Sequence, residues 1–331
     1  MKKIFAILLT CLLSVSALAG CGMAAAPASS AALQGANNTG TKLKVVTTIF
    51  PYYDFARAIT GDTAELTMLL KPGAEAHSFD PSPADIINIE NADVFIYTGG
   101  TDDAWADSLL AAVDTTGITV LRMLDTVPLL DEETVEGMQA EDQGHLQPHT
   151  SDEAGHEWDE HIWTSPKNAA RMVDFMGVAL QELAPQNASL YAKNASNYIA
   201  QIEELDTEFA QITANAQHKL MVFGDRFPFL YFVKEYGLLY RAAFPGCSTD
   251  TNPSAGTVAY LINTVQQNNL PYIFDIELSS GSIAAVIAEE TGAEILTLQS
   301  CQTVSRQNFE AGETYVSLMR QNAKNLAKGL N

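Results

Sequence analysis

Residues 64–89 read AELTMLLKPGAEAHSFDPSPADIINI. Ala64–Leu70 is an apolar, alternating run, which predicts a strand. Lys71–Pro83 follows, with Pro72, Gly73, Pro81 and Pro83 fixing or freeing the backbone at set points, so an ordered loop is expected. Ser82 then suits a helix N-cap, Pro83 the first turn and Asp85 the positive end of the helix, with Ile86, Ile87 and Ile89 on its apolar side. Strand, ordered loop and helix in that order are the building unit of an α/β sheet. The loop carries one histidine, His77. An imidazole on a rigid loop at a strand end is well placed to bind a metal, although the residue alone reads equally well as a bystander.

The same grammar extends in both directions. Leu43–Ile49 is a β-branched strand, Tyr52–Thr60 a helix stopped by Gly61, Asp93–Thr98 a strand, Trp105–Val113 a helix and Thr119–Leu121 a short strand. Beyond residue 218 the pattern repeats, with strands at Lys219–Phe223, Leu239–Phe244, Tyr272–Ile276 and Glu294–Leu298. Helices are expected there at Leu230–Glu235, Ser254–Asn268, Ser282–Thr291 and Thr314–Ala327. Between the two series, Lys167–Leu183 and Ala188–Ala216 read as helices. In the second, Leu190, Tyr198, Ile202, Leu205, Phe209 and Ile212 fall near helical spacing. Such a helix is about 40 Å long, the width of a small domain. The expected fold is α/β, with two lobes of mostly parallel sheet joined by one long rigid helix: residues 43–184, a linker at 185–218, and 219–331. Its apolar stripe reads as core rather than as an oligomer seam, so a monomer is expected.

The N-terminus reads as a processing signal. Lys2 and Lys3 precede the apolar run Ile4–Leu18, which is short for a membrane span, and the small-residue end Leu18-Ala19-Gly20-Cys21 follows. That end resembles a bacterial lipobox, which implies cleavage of residues 1–20 and lipidation of Cys21. Residues 21–42 then form a flexible tether to the membrane. The net charge is −22, and loss of residues 1–20, with two lysines and no acids, makes it −24. This acidity excludes a nucleic-acid binder and suits a protein that attracts cations. Of the four cysteines, Cys247 and Cys301 remain in the body. An export context favours their pairing as a disulfide, with two buried thiols as the alternative.

Residues 131–160 are acidic, carry His145, His149 and His156, and have too few apolar residues to pack; a disordered loop is expected, either solvated filler or a loose metal collector. Order returns at Asp159–Pro166, DEHIWTSP, with His161. Asp225 follows a strand directly, and Asp275 and Glu277 flank the end of another. In doubly wound sheets ligands collect outside the carboxyl ends of the strands. His77, His161, Asp225 and Glu277, with Asp275 as the alternative to Glu277, are therefore the candidate ligands, and two imidazoles with one or two carboxylates suit Zn²⁺ or Mn²⁺.

Taken together, KPGAEAHSFDPSP, the acidic histidine-bearing loop, DEHIWTSP, GDRFPFLYFVKEYGL with FPGCST, and IAEETGAEI resemble the metal-binding substrate-binding lipoproteins of zinc and manganese ABC importers (cluster A). The resemblance covers nearly all of residues 43–331. It implies two lobes braced by one helix, a metal buried between them, and a membrane permease as partner. It matches His77 and His161 to the family's first two histidine ligands. The third ligand place, after the first strand of the second lobe, holds Asp225, and Glu277 or Asp275 stands near the fourth. The carboxylate at Asp225 keeps manganese open beside zinc. A lipid-anchored metallohydrolase and an adhesin are the competing readings; no general-base motif lies near His77 or His161.

Overall fold

The computed structural model describes residues 42–76, 79–101, 103–139, 157–248 and 252–331. In the first half, β1 (Leu43–Thr47), α1 (Phe50–Thr60), β2 (Ala64–Met68), α2 (Pro83–Glu90), β3 (Val94–Tyr97), α3 (Ala104–Ala112) and β4 (Thr119–Arg122) alternate. Their strands form a wholly parallel sheet in the order β2-β1-β3-β4. Val45, Val46 and Thr47 of β1 and all of β3 are buried, as expected of strands covered on both faces.

Two long helices follow, α4 (Pro166–Leu183) and α5 (Ala188–Asn215). The 28 residues of α5 span about 42 Å at 1.5 Å per residue. Tyr191, Ala195, Tyr198, Ile202, Leu205 and Phe209 face the core. Leu190, expected on that stripe, is exposed, because Tyr191 sets the phase of the first turn.

The second half builds β5 (Leu220–Phe227), α6 (Leu230–Tyr236), β6 (Leu239–Pro245), α7 (Ala255–Gln267), β7 (Tyr272–Ile276), α8 (Ser282–Thr291) and β8 (Glu294–Leu298). The sheet is again parallel, in the order β6-β5-β7-β8. The short α9 (Arg306–Glu310), not expected from the sequence, and α10 (Tyr315–Gly329) end the chain.

One buried carboxylate ties three helices together. Asp54 of α1 pairs with Arg57 at 2.5 Å, accepts the Tyr315 backbone N–H of α10 at 2.8 Å, and accepts the Tyr198 hydroxyl of α5. Such a charged group, nearly fully buried, is stable only because each oxygen is paired.

Two expectations change here. β5 runs four residues past Phe223 through a register shift between Phe223 and Arg226, so Asp225 and Arg226 lie within a strand rather than in a loop. Gly224 in that shift lies so close to the backbone of Ala284 in α8 that a Cβ would stand 2.5 Å from its Cα. The ends of the acidic segment are also ordered rather than loose. Asp131 bridges Trp158, the Glu132 N–H donates to the Glu157 carbonyl at 2.8 Å, and the Asp159 N–H donates to the Leu130 carbonyl at 2.9 Å. The backbone ladder holds these ends where apolar packing is scarce. His145, His149 and His156 lie outside the described residues, as does Cys21.

The shared strand order has a consequence for ligand binding. In each sheet the chain first adds a strand on one side of the founding strand and then crosses to the other side. The reversal falls between β1 and β3 in one sheet and between β5 and β7 in the other. Crevices form outside the carboxyl ends of the strands at such points.

Candidate metal centre

A cleft lies at both reversals. One part is lined by Thr48 and Thr98, just past β1 and β3, with Asp103 and Glu160. The other is lined by Arg226 of β5, Glu277 just past β7, Glu75 and Gly246. Ala76 and Gln302 line both parts, which makes them neighbours. His77 lies outside the described residues; Ala76 and Phe79, on either side of it in sequence, line the cleft.

His161 is fully buried at the head of the tight turn Ile162–Thr164. The turn is closed by the Thr164 N–H and hydroxyl, which donate to the His161 carbonyl at 3.1 and 2.7 Å. Ser165 then caps α4 by accepting the Asn168 N–H. Asp159 orients the histidine from behind. Its Oδ1 accepts the His161 backbone N–H at 2.9 Å and lies 3.3 Å from Nδ1. A carboxylate on Nδ1 favours the proton there, which is the tautomer whose Nε2 can ligate a metal. The imidazole packs against the second sheet at Gly246, where a Cβ would come within 3.1 Å of Cε1 and 2.9 Å of the Phe227 carbonyl oxygen. A side chain there would press on the ring and crowd the Phe227 carbonyl oxygen.

Glu277 is buried at the cleft wall. It accepts the Ser300 N–H and hydroxyl, each at 2.6 Å, and the Cys301 N–H at 3.0 Å. Burial pushes its pKa up to about 7, against the lowering effect of those donors. Two of the three non-glycine residues with positive φ adjoin this carboxylate among the described residues: Leu278 at +60° and Cys301 at +62°. Such conformations cost about 1–3 kcal/mol each and persist where the surroundings over-determine them.

Asp225 is not brought to this cleft. Strand alternation turns Arg226 inward, where its guanidinium meets Glu75 at 3.0 and 3.3 Å and the Ser248 carbonyl at 3.3 Å. Asp225 accepts the Arg226 N–H at 2.8 Å and the Ser279 hydroxyl, beside Asp275. Burial, and then the Asp225 charge, raise the Asp275 pKa. Among the described residues no three His, Cys, Asp or Glu side chains are grouped to hold a metal.

Cys247 and Cys301 are free thiols, not the expected disulfide. Cys247 follows β6 and Cys301 follows β8, which are opposite edges of the four-stranded sheet. Three strand spacings, roughly 14 Å, separate those edges, whereas a disulfide needs Cα atoms within about 7 Å. The Cys247 N–H instead donates to Glu132 at 3.0 Å. Burial, with Asp159 nearby, lifts the Glu132 pKa to about 7. Cys301 is fully buried, and burial pushes its thiol pKa upward.

Sequence reasoning passed over Asp159, Arg226 and Ser300. Asp159 was legible in DEHIW, since an acid two residues before a turn histidine is placed to hold it. Arg226 follows once β5 is extended to Phe227. Ser300 has no sequence signal, because its contact with Glu277 is made across two loops.

Two parallel α/β halves with a cleft at both strand-order reversals, braced by a long helix, define a two-lobed ligand-binding protein. The sequence matches the family described as zinc-uptake complex component A, periplasmic, over residues 45–329, and the chain belongs to that family. It is 30% identical to the high-affinity zinc uptake system protein ZnuA of Bacillus subtilis 168 over 314 residues, which are 95% of this chain and 96% of that one. It is 31% identical to the zinc-binding lipoprotein AdcA of Streptococcus pneumoniae R6 over 285 residues, 86% of this chain and 55% of the relative. The chain thus spans about half the length of that relative. The crystal structure of the Zn(II)-bound ZnuA-like domain of the pneumococcal AdcA superposes with a TM-score of 0.71 at 29% identity, covering 88% of this chain and 99% of that domain.

Proposed function

We propose that this protein captures zinc outside the cytoplasm and hands it to the membrane permease of an ABC importer. The observation that carries the reading is His161, buried and oriented by Asp159, packed against the cleft that Glu277 lines, in a chain of the zinc-uptake family. The ion is cargo, so the protein binds and releases it and does no chemistry on it. His77 and His161 supply imidazole nitrogens, and Glu277 supplies a carboxylate. That mixed nitrogen and oxygen set suits a borderline ion such as Zn²⁺. Asp225 is left out of the ligand set, because Arg226 and Glu277 line the cleft and Asp225 does not.

Lipidation at Cys21 would hold the protein at the membrane, near the permease. Residues 43–184 and 219–331 act as the two lobes and residues 185–218 as the brace that limits their movement. Imidazoles bind metal only when deprotonated, so affinity falls as pH drops through the histidine range. Metal analysis of the purified protein and competitive titration with Zn²⁺ and Mn²⁺ test the reading. One tight zinc per chain, preferred over manganese, is expected; a preference for manganese contradicts it.

A further inference from the structure

Trp163 is the largest fully buried side chain among the described residues. It sits two residues after His161 in the same tight turn. Its indole N–H donates to the Ser300 carbonyl at 2.8 Å. Ser300 is also the residue whose N–H and hydroxyl hold both oxygens of Glu277. One side chain therefore connects the turn carrying one candidate ligand to the backbone cradle of another.

The indole is itself held firmly. Its ring meets Tyr52 edge-on, with centroids 6.0 Å apart and planes at 87°, and lies 5.5 Å from the His161 ring. The Trp163 carbonyl accepts the Tyr315 hydroxyl at 2.7 Å, and the Tyr315 N–H donates to the buried Asp54. The chain of bonds thus runs from the three-helix tie at Asp54, through Trp163 and Ser300, to Glu277. Packing alone asks only for a large apolar ring at this place. The N–H adds a directed bond, and that bond ends on the strained corner where Cys301 has a left-handed backbone.

We infer that Trp163 is a positioning residue for the ion site: through the Ser300 carbonyl it fixes the Glu277 carboxylate relative to the His161 turn. The inference rests on the zinc-capture reading. A binding site needs its ligands held within about 0.5 Å of the productive geometry, and groups behind the ligands typically change metal affinity about 10–100-fold. Trp163→Phe keeps a ring in the core and removes only the N–H donor, which leaves the Ser300 carbonyl without it.

The test is a double-mutant cycle on the full-length protein in detergent, with zinc as the probe and a chelator competing for it. Trp163→Phe is expected to weaken zinc about tenfold alone, and less than about twofold in a Glu277→Gln background, because its effect passes through that carboxylate. Equal losses in both backgrounds overturn the inference, since a merely structural role is additive. A second measurement does not depend on the variant folding. In ¹⁵N-tryptophan-labelled wild type, the Trp163 indole N–H resonance, assigned by elimination with Trp105→Phe and Trp158→Phe, should shift when zinc is added. A resonance that zinc leaves unmoved overturns the inference. A wild type that binds no zinc tightly fails the capture reading and this one with it, whereas tight binding with an additive cycle fails the positioning role alone.

Discussion

The two sheets share one strand order, yet they present different chemistry to the same cleft. At the reversal of the first sheet the strand ends offer neutral hydroxyls, and the carboxylates there, Asp103 and Glu160, come from segments outside the strands: Thr48 donates to Asp103 at 3.4 Å, and Thr98 accepts from Tyr52 at 3.1 Å. At the reversal of the second stand charges, the Arg226 guanidinium and the Glu277 carboxylate. The histidine packed beside this part of the cleft, at Gly246, belongs to neither sheet but to the turn between β4 and α4. Topology therefore sets where a ligand is held, and alternation along individual strands sets which side chain is there to hold it. Asp225 and Arg226 are neighbours in sequence, but only one of them lines the cleft.

His161→Ala is expected to weaken zinc by at least about 100-fold in a chelator competition, above the usual effect of groups that stand behind the ligands. Retention of full affinity would place the ion elsewhere. At the second reversal, Glu277→Gln keeps the shape and removes the charge, and a loss of about 10–100-fold is expected from the same assay. Asp159→Asn weakens the hold on the His161 ring without touching the ion, and about tenfold is expected. If Asp159→Asn costs as much as His161→Ala, the carboxylate is itself a ligand.

A pH experiment addresses the buried carboxyl beside Cys247. The Glu132 pKa is raised to about 7 in the folded protein from an ordinary value of 4.5. A raised carboxyl contributes stability that is complete below its unfolded pKa and is lost as pH climbs through the folded one. The metal-free protein should therefore melt at a lower temperature at pH 8 than at pH 5. Glu132→Gln should flatten part of that fall, and Glu277, raised in the same direction, should keep the rest. An unchanged slope in Glu132→Gln would mean that this group ionises freely in the folded state. The smallest effect is assigned to Asp225→Asn, whose zinc affinity should stay within about twofold of wild type, as for changes away from a site. A loss as large as that of Glu277→Gln would reverse the contrast between the two neighbouring residues of β5.

Most of the architecture was legible in the sequence, because its elements are marked by local physics. The β-branched runs at Val45–Thr47 and Val94–Tyr97, the Ser82–Pro83 and Ser165–Pro166 helix starts, and the long stripe through Tyr198 and Phe209 each follow from near neighbours in the chain. The ordered turn at His161 was legible because a proline-bearing segment follows an acidic one. What escaped depends on contacts between distant segments. The end of β5 was misplaced because Gly224-Asp225 reads as a turn, while the structure uses the glycine to admit α8. The cysteine pairing failed because sequence context says nothing about the distance between opposite sheet edges. Leu190 was assigned to the core because a stripe one residue out of phase has nearly the same periodicity as the true one.

The measurement that tests the central claim most directly is X-ray absorption at the zinc edge of the zinc-loaded protein. A histidine–carboxylate site predicts a first shell of nitrogen and oxygen at about 2.0–2.2 Å, with the outer-shell scattering of imidazole rings. The two free thiols make the contrary outcome specific: a sulfur shell at about 2.3 Å would place Cys247 or Cys301 on the ion and contradict the account.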